Sequence, residues 1–229
     1  MRLLLSAITL HDGRIASSAV GRHTPPMQLR APAIVCGSRM SGETAAVARL
    51  LTRDHGLLAG YVAGARGRVL RPVLIPGNLV EFEARWRSEA QLPALRIELL
   101  ASRGPWLGEP LPAAAIGWVT ALCASALAER QPFPMLYDAL GGLLDAVCHA
   151  PSARGWLPGL IGFEALLLRE LGYGAEAPAL GAHRSGADLA GLLAGFDAQG
   201  LRLARYPLAD RRTDVMGARA MLRARLAKL

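Results

Sequence analysis

Between Ala31 and Ser102 the chain runs through five short apolar, β-rich segments. A glycine- and arginine-punctuated connection lies in their middle, Gly64-Ala65-Arg66-Gly67-Arg68-Val69-Leu70-Arg71-Pro72. This stretch constrains the fold more than any other. Thr44–Thr52 and Leu57–Ala63 flank Arg53-Asp54-His55-Gly56, whose Asp and Gly are turn formers, so the two read as a hairpin. Leu79–Arg87 follows Pro76-Gly77-Asn78 and alternates cleanly. Leu79, Glu81, Glu83, Arg85 and Arg87 point one way, and Val80, Phe82, Ala84 and Trp86 the other. Ile34–Arg39 and Leu92–Ala101 complete the set. Five antiparallel strands around an irregular basic segment predict a small closed barrel of the OB type.

After the breaker-rich stretch from Gly104-Pro105 to Pro112 the period changes from strand to helix. Ala114, Val119, Leu122, Ala126 and Leu127 belong to a first helix that stops near Pro132. Pro134–His149 is a second, with Leu136, Leu140, Leu143, Leu144 and Val147 on one face. Ala153–Leu171 is a third, closed by Gly172-Tyr173-Gly174. After the linker Glu176–Gly186, Ala187–Phe196 and Asp210–Ala227 give two more. The predicted fold class is therefore α+β, an OB barrel over 31–104 followed by an all-helical domain over 110–229. Residues 1–30 read as an extension. Its apolar start is only about eight residues long and lacks a cleavage site in register, so a secretion signal is not expected. No apolar run reaches the roughly 18–20 residues of a membrane span, and a soluble chain is expected.

A hydrophobic share of 52% with 19% charged residues fits a folded chain and excludes a disordered one. The formal net charge of +8 rests almost wholly on arginine, Lys228 being the single lysine. It is unevenly placed: +2 over 1–26, +4 over 27–110, −4 over 111–200 and +6 over 201–229. Basic ends around an acidic middle make a polyanion the first partner to consider, against solvated arginine on exposed faces. Cys36, Cys123 and Cys148 are far apart and sit in apolar runs, which predicts buried thiols in a reducing compartment and neither disulfides nor a metal pair. No phosphate loop, nucleophile elbow or zinc-protease helix occurs, and the five histidines are scattered. No enzyme, cofactor or metal site is expected.

The candidate DNA contacts begin with Arg66, Arg68 and Arg71, three guanidinium groups among small residues that let a phosphate backbone approach. Arg39, Arg49, Arg85 and Arg87 flank them on neighbouring strands. Tyr61 stacks a base if its face of the barrel is open, and is core if that face is closed. Trp86 faces with Phe82 and reads as core. Arg212, Arg219 and Arg223 share one face of the last helix at seven- and four-residue spacing, which suits either a second DNA contact or a cationic helix end. With only 5% aromatic residues, phosphate contact should outweigh stacking, so binding should be strongly salt-dependent.

The order and spacing of Ser38-Arg39, Gly42-Glu43-Thr44, Leu51-Thr52, Gly56, Gly64-Ala65-Arg66 and Pro76-Gly77-Asn78 resemble the amino-terminal domain of the RecO family. Those bacterial proteins are recombination mediators in DNA repair. Phe163-Glu164 through Leu171-Gly172-Tyr173 resembles the family's central helix. The resemblance implies a non-enzymatic protein of the cytoplasm and nucleoid that binds single- and double-stranded DNA and anneals complementary strands. It also implies help in loading RecA onto single strands coated by the single-stranded-DNA-binding protein, together with RecR. The acidic tail of that coating protein ends in a hydrophobic residue with a terminal carboxylate. Leu136, Tyr137 and Leu140, rimmed by Arg130 or Arg169, are the candidates to receive it, and core packing is the competing explanation of the apolar three. Family members usually begin just before the first strand, which makes Met27 a candidate start. Two departures stand out. Ala63 occupies a position where the family often has lysine, and no cysteine follows Cys148, so the zinc ribbon that some members insert here cannot be built. The competing class is a protein–protein adaptor whose barrel does not bind nucleic acid.

Overall fold

The computed structural model describes residues 28–88, 90–174, 188–209 and 214–229. Residues 1–27, the 176–186 linker and Arg212 lie outside them. Five strands, β1 (Gln28–Ser41), β2 (Ala45–Thr52), β3 (Gly56–Val62), β4 (Leu79–Arg85) and β5 (Ala94–Ala101), close in the order β1-β2-β3-β5-β4. β3 and β5 run parallel and every other pair antiparallel. That is the expected OB barrel.

β1 does more than its apolar centre suggested. It starts six residues before Ile34, so Gln28, Leu29 and Arg30 belong to the barrel and not to an extension. Its first half pairs with β4 and its second half with β2, with an irregularity between Val35 and Gly37 that turns it from one sheet wall to the other. Inside, Ala33, Val35, Ala48, Leu50, Val80, Phe82 and Trp86 form the barrel core. The connection over residues 63–78 plugs one end of the barrel by inserting Ala65, Val73 and Leu74. Asn78 fixes it there. Its buried side-chain amide donates to the carbonyls of Pro72 and Val73 at 2.9 and 3.1 Å, and its side-chain oxygen accepts from the Arg103 N–H at 2.7 Å.

Helices α1 (Pro110–Ala126), α2 (Pro134–His149), α3 (Leu157–Glu170), α4 (Leu189–Arg205) and α5 (Met216–Leu226) follow. α1 begins at Pro110, earlier than expected, because proline is tolerated in a first turn whose N–H groups lack partners anyway. α4 runs past Phe196 to Arg205, through Gly200, where the absence of a side chain leaves room for Arg219. α1 is buried at Ile116, Trp118, Val119, Leu122 and Cys123 and packs on the outward residues Ile34, Cys36, Leu51 and Leu57 of the barrel. That quadrant of the barrel's outer surface is therefore closed. Among the described residues no helix is long and apolar enough to cross a membrane.

Candidate nucleic-acid interface

Strand pleating sends alternate side chains outward, and the outer surface that the helices leave open has two characters. On the β1–β4–β5 side the register puts Arg30 opposite Glu83 and Glu83 opposite Arg96, with Glu81 opposite Glu98 in the adjoining row. Arg30 donates to Glu81, and Arg85 pairs with Glu83 at 2.7 Å. The hydrogen bond from Arg30 holds the Glu81 carboxyl below the usual carboxylate range. Arginines and carboxylates alternate here, so no basic field is available to a polyanion.

The β1–β2–β3 side differs. Register aligns Arg39, Val47 and Tyr61 in one row and Gly37, Arg49 and Ala59 in the next. No carboxylate occupies an outward position of these two rows. Tyr61 is 43% exposed, so this part of the surface is open. It leads into a groove of about 700 Å³ lined by Tyr61, Arg85, Trp86, Arg87, Gln91 and Leu92. One wall is β3 and the other the β4–β5 loop, held together by the Tyr61 N–H donating to the Pro93 carbonyl at 2.8 Å. An aromatic ring, two guanidinium groups and a leucine around one groove can grip a phosphate chain and stack on its bases.

The connection presents Arg66, Arg68 and Arg71 to solvent. Its turns are set by the Gly67 N–H on the Gly64 carbonyl at 2.8 Å and the Arg71 N–H on the Gly67 carbonyl at 3.0 Å. Among the described residues no carboxylate pairs with Arg39, Arg66, Arg68, Arg71 or Arg87, whereas Arg49 meets Glu129 at 3.2 Å. Trp86 is buried in the barrel core and also lines the groove.

The carboxy-terminal helix is a different matter. Arg219 is 5% exposed and bonded to the fully buried Glu164, so it offers nothing to a phosphate. The expectation that Arg219 contacts DNA is corrected. Arg223 points its guanidinium at Asp197, with two bonds of 2.7 and 2.9 Å, and the pairing holds the Asp197 carboxyl below its ordinary value. The four-residue spacing puts Arg219 and Arg223 on one helical face, and that face is turned to α3 and α4. Leu136 and Leu140 are fully buried core residues and line no open pocket, a second correction. Tyr137 is half-buried against the same core, and burial raises its hydroxyl above the usual range. Arg169 meets Glu170 at 3.4 Å, and Arg130 lies over the Trp86 ring with 6.0 Å to its centroid. The five residues do not form one site. Sequence reasoning missed Gln91 and Leu92 of the groove; a leucine next to Pro93 in a polar loop was the available signal.

The fold and this surface define an OB-barrel protein with an open basic groove and a helical second part. The model for "Recombination protein O N terminal" matches residues 27–103, and that for "Recombination protein O C terminal" matches residues 110–178. The chain belongs to the RecO family. It is 44% identical to the DNA repair protein RecO of Rhodospirillum centenum over 147 residues, covering 63% of this chain and 56% of the relative. It is 38% identical to that of Rhizobium etli, covering 72% and 63%, and 34% identical to that of Gluconacetobacter diazotrophicus, covering 72% and 66%. The match thus spans less than two thirds of the length of these relatives.

Proposed function

We propose that this chain is a recombination mediator in DNA repair, a binding protein with no chemical step of its own. The observation that carries the reading is the surface around Tyr61, an exposed aromatic ring with Arg39 in its cross-strand row and Arg87 in the adjoining groove, neither of them paired with a carboxylate among the described residues. Guanidinium groups neutralise phosphates regardless of sequence, so the surface takes single- and double-stranded DNA alike. Two complementary strands screened by the same cations repel each other less, which favours annealing. In this reading residues 28–101 hold DNA while residues 110–229 dock protein partners. Those are the acidic tail of the single-stranded-DNA-binding protein and RecR, and the product is RecA loaded on a formerly coated strand.

Two triple variants locate the contact, Arg39/Arg85/Arg87→Ala for the groove with the adjoining Tyr61 row and Arg66/Arg68/Arg71→Ala for the connection. Each loses charge-assisted contacts of about 1.5 kcal/mol or more apiece, so single-strand affinity should fall by about 100-fold or more in the groove variant. The connection variant should lose less, because its arginines lie outside the groove. Fluorescence anisotropy with a labelled oligonucleotide reads both. Unchanged affinity in both variants would move the contact off these arginines, and a wild type that binds no oligonucleotide would leave the adaptor reading, a barrel without nucleic acid.

A further inference from the structure

Trp86 lines two hollows. Beyond the groove it forms a wall of a second pocket, of about 360 Å³, bounded by Leu29, Leu58, Asp54, Arg130 and Pro132 where the barrel meets the α1–α2 connection. Three features mark this pocket. Arg130 has φ +60°, the left-handed region, and among the described residues it is the one non-glycine residue there. Its backbone is pinned by its own N–H on the Leu57 carbonyl at 2.9 Å, while its guanidinium, over the Trp86 ring, meets no carboxylate among the described residues. The indole N–H of Trp86 is buried with no acceptor among the described residues, an arrangement that proteins rarely leave in place. Gln28 and His55 complete the lining, and the Asp54 carboxylate is turned to Arg53 at 3.4 Å.

We infer that this pocket receives one unstacked nucleotide of a single strand lying in the groove, its base against Trp86 and Leu58 and its phosphate on Arg130. Trp86 contributes to the lining of both hollows, and this shared residue favours a nucleotide of the strand at Tyr61, Arg85 and Arg87 over a peptide. A base paired in a duplex cannot enter. The pocket therefore makes the surface prefer single strands, which unpaired arginines alone do not. The inference rests on the proposed function, and the test separates the two.

The probes are an oligothymidylate of about a dozen nucleotides, within the usual span of one OB barrel, and a blunt duplex of the same length. Arg130→Gly removes the side chain at a φ that glycine adopts freely, so the fold is kept. Its single-strand affinity should fall about 10-fold, the loss of one charge-assisted contact, with duplex affinity unchanged. An oligonucleotide carrying 5-iodouracil should photo-crosslink to Trp86. If Arg130→Gly binds the single strand as the wild type does while Arg85/Arg87→Ala is weakened, the inference is wrong and the proposed function stands. Equal weakening on the duplex also overturns it. So does loss of binding confined to an acidic peptide ending in an apolar residue with a free carboxylate, which would assign the pocket to a protein tail. A wild type that binds no single strand removes both readings.

Discussion

Arg219→Ala should lower the unfolding free energy by about 3–5 kcal/mol, because it leaves a buried carboxylate without its cation. Glu164 on α3 is fully buried and accepts from Arg219 Nε at 3.0 Å, Arg219 Nη2 at 2.9 Å and Trp118 Nε1 at 2.8 Å. Arg219 also donates to the Phe196 carbonyl and lies 3.6 Å from the centroid of the Phe196 ring. One ion pair thus joins α1, α3, α4 and α5. Gly200 leaves room for it, since a Cβ there would lie 2.8 Å from the guanidinium carbon. Burial raises the Glu164 carboxyl above its ordinary value, and Arg219 counteracts that rise. A carboxyl whose native pKa is raised loses stability for the fold as pH climbs through it, because the unfolded chain releases the proton more readily. Without Arg219 the rise is larger, so the variant's deficit should deepen from pH 5 to pH 8. Urea unfolding at the two values measures it. The double variant Glu164→Leu/Arg219→Met should recover most of the loss, as buried pairs replaced by apolar side chains often do. A single variant as stable as the wild type would mean that the pair is not closed in solution.

Gly56→Ala should cost about 3 kcal/mol, in excess of the roughly 1–2 kcal/mol of left-handed backbone alone. Gly56 has φ +70°, and a Cβ there would lie 2.6 Å from the Gln131 backbone nitrogen and against its carbonyl. The turn is already fixed on both sides. Thr52 Oγ1 donates to the Gly56 carbonyl at 2.8 Å and accepts from the His55 N–H at 3.1 Å, and Leu57 takes the Arg130 N–H. Backbone meets backbone here, so no side chain can yield. Gly64 is the control. Its φ is +68° but nothing lies within 4 Å of its Cβ position, so Gly64→Ala should lose only the conformational part. Equal losses at the two positions, measured by thermal or urea unfolding, would contradict the close approach.

The barrel was legible because its strands alternate. β4 was readable residue by residue, and its inward set, Val80, Phe82, Ala84 and Trp86, is buried as expected. The three cysteines are free and buried, as their apolar neighbours implied. Gly56 and the Pro76-Gly77-Asn78 turn stood out in the sequence, and the structure supplies their causes, a backbone approach and a three-bonded amide. What was hidden depends on partners far along the chain. Arg219 looks like any helix-surface arginine until Glu164, 55 residues away, is placed beneath it. Leu136 and Leu140 carry the right chemistry for a pocket, but α2 spends that face on the core. Nor does charge sign alone reveal which arginines are free. Arg85 and Arg87 are two residues apart on one face, yet the first pairs with Glu83 and the second with no described carboxylate. The open surface emerges only when the register shows carboxylates gathered on the opposite side of the barrel.

A salt titration of single-strand binding addresses that surface most directly. If phosphates lie on the arginines around Tyr61, about four contacts give a slope near −3 in log K against log salt, and each groove arginine removed flattens it by about 0.7. A flat line for the wild type, or an unchanged slope after Arg39, Arg85 and Arg87 are replaced, would contradict a nucleic-acid interface on this side of the barrel.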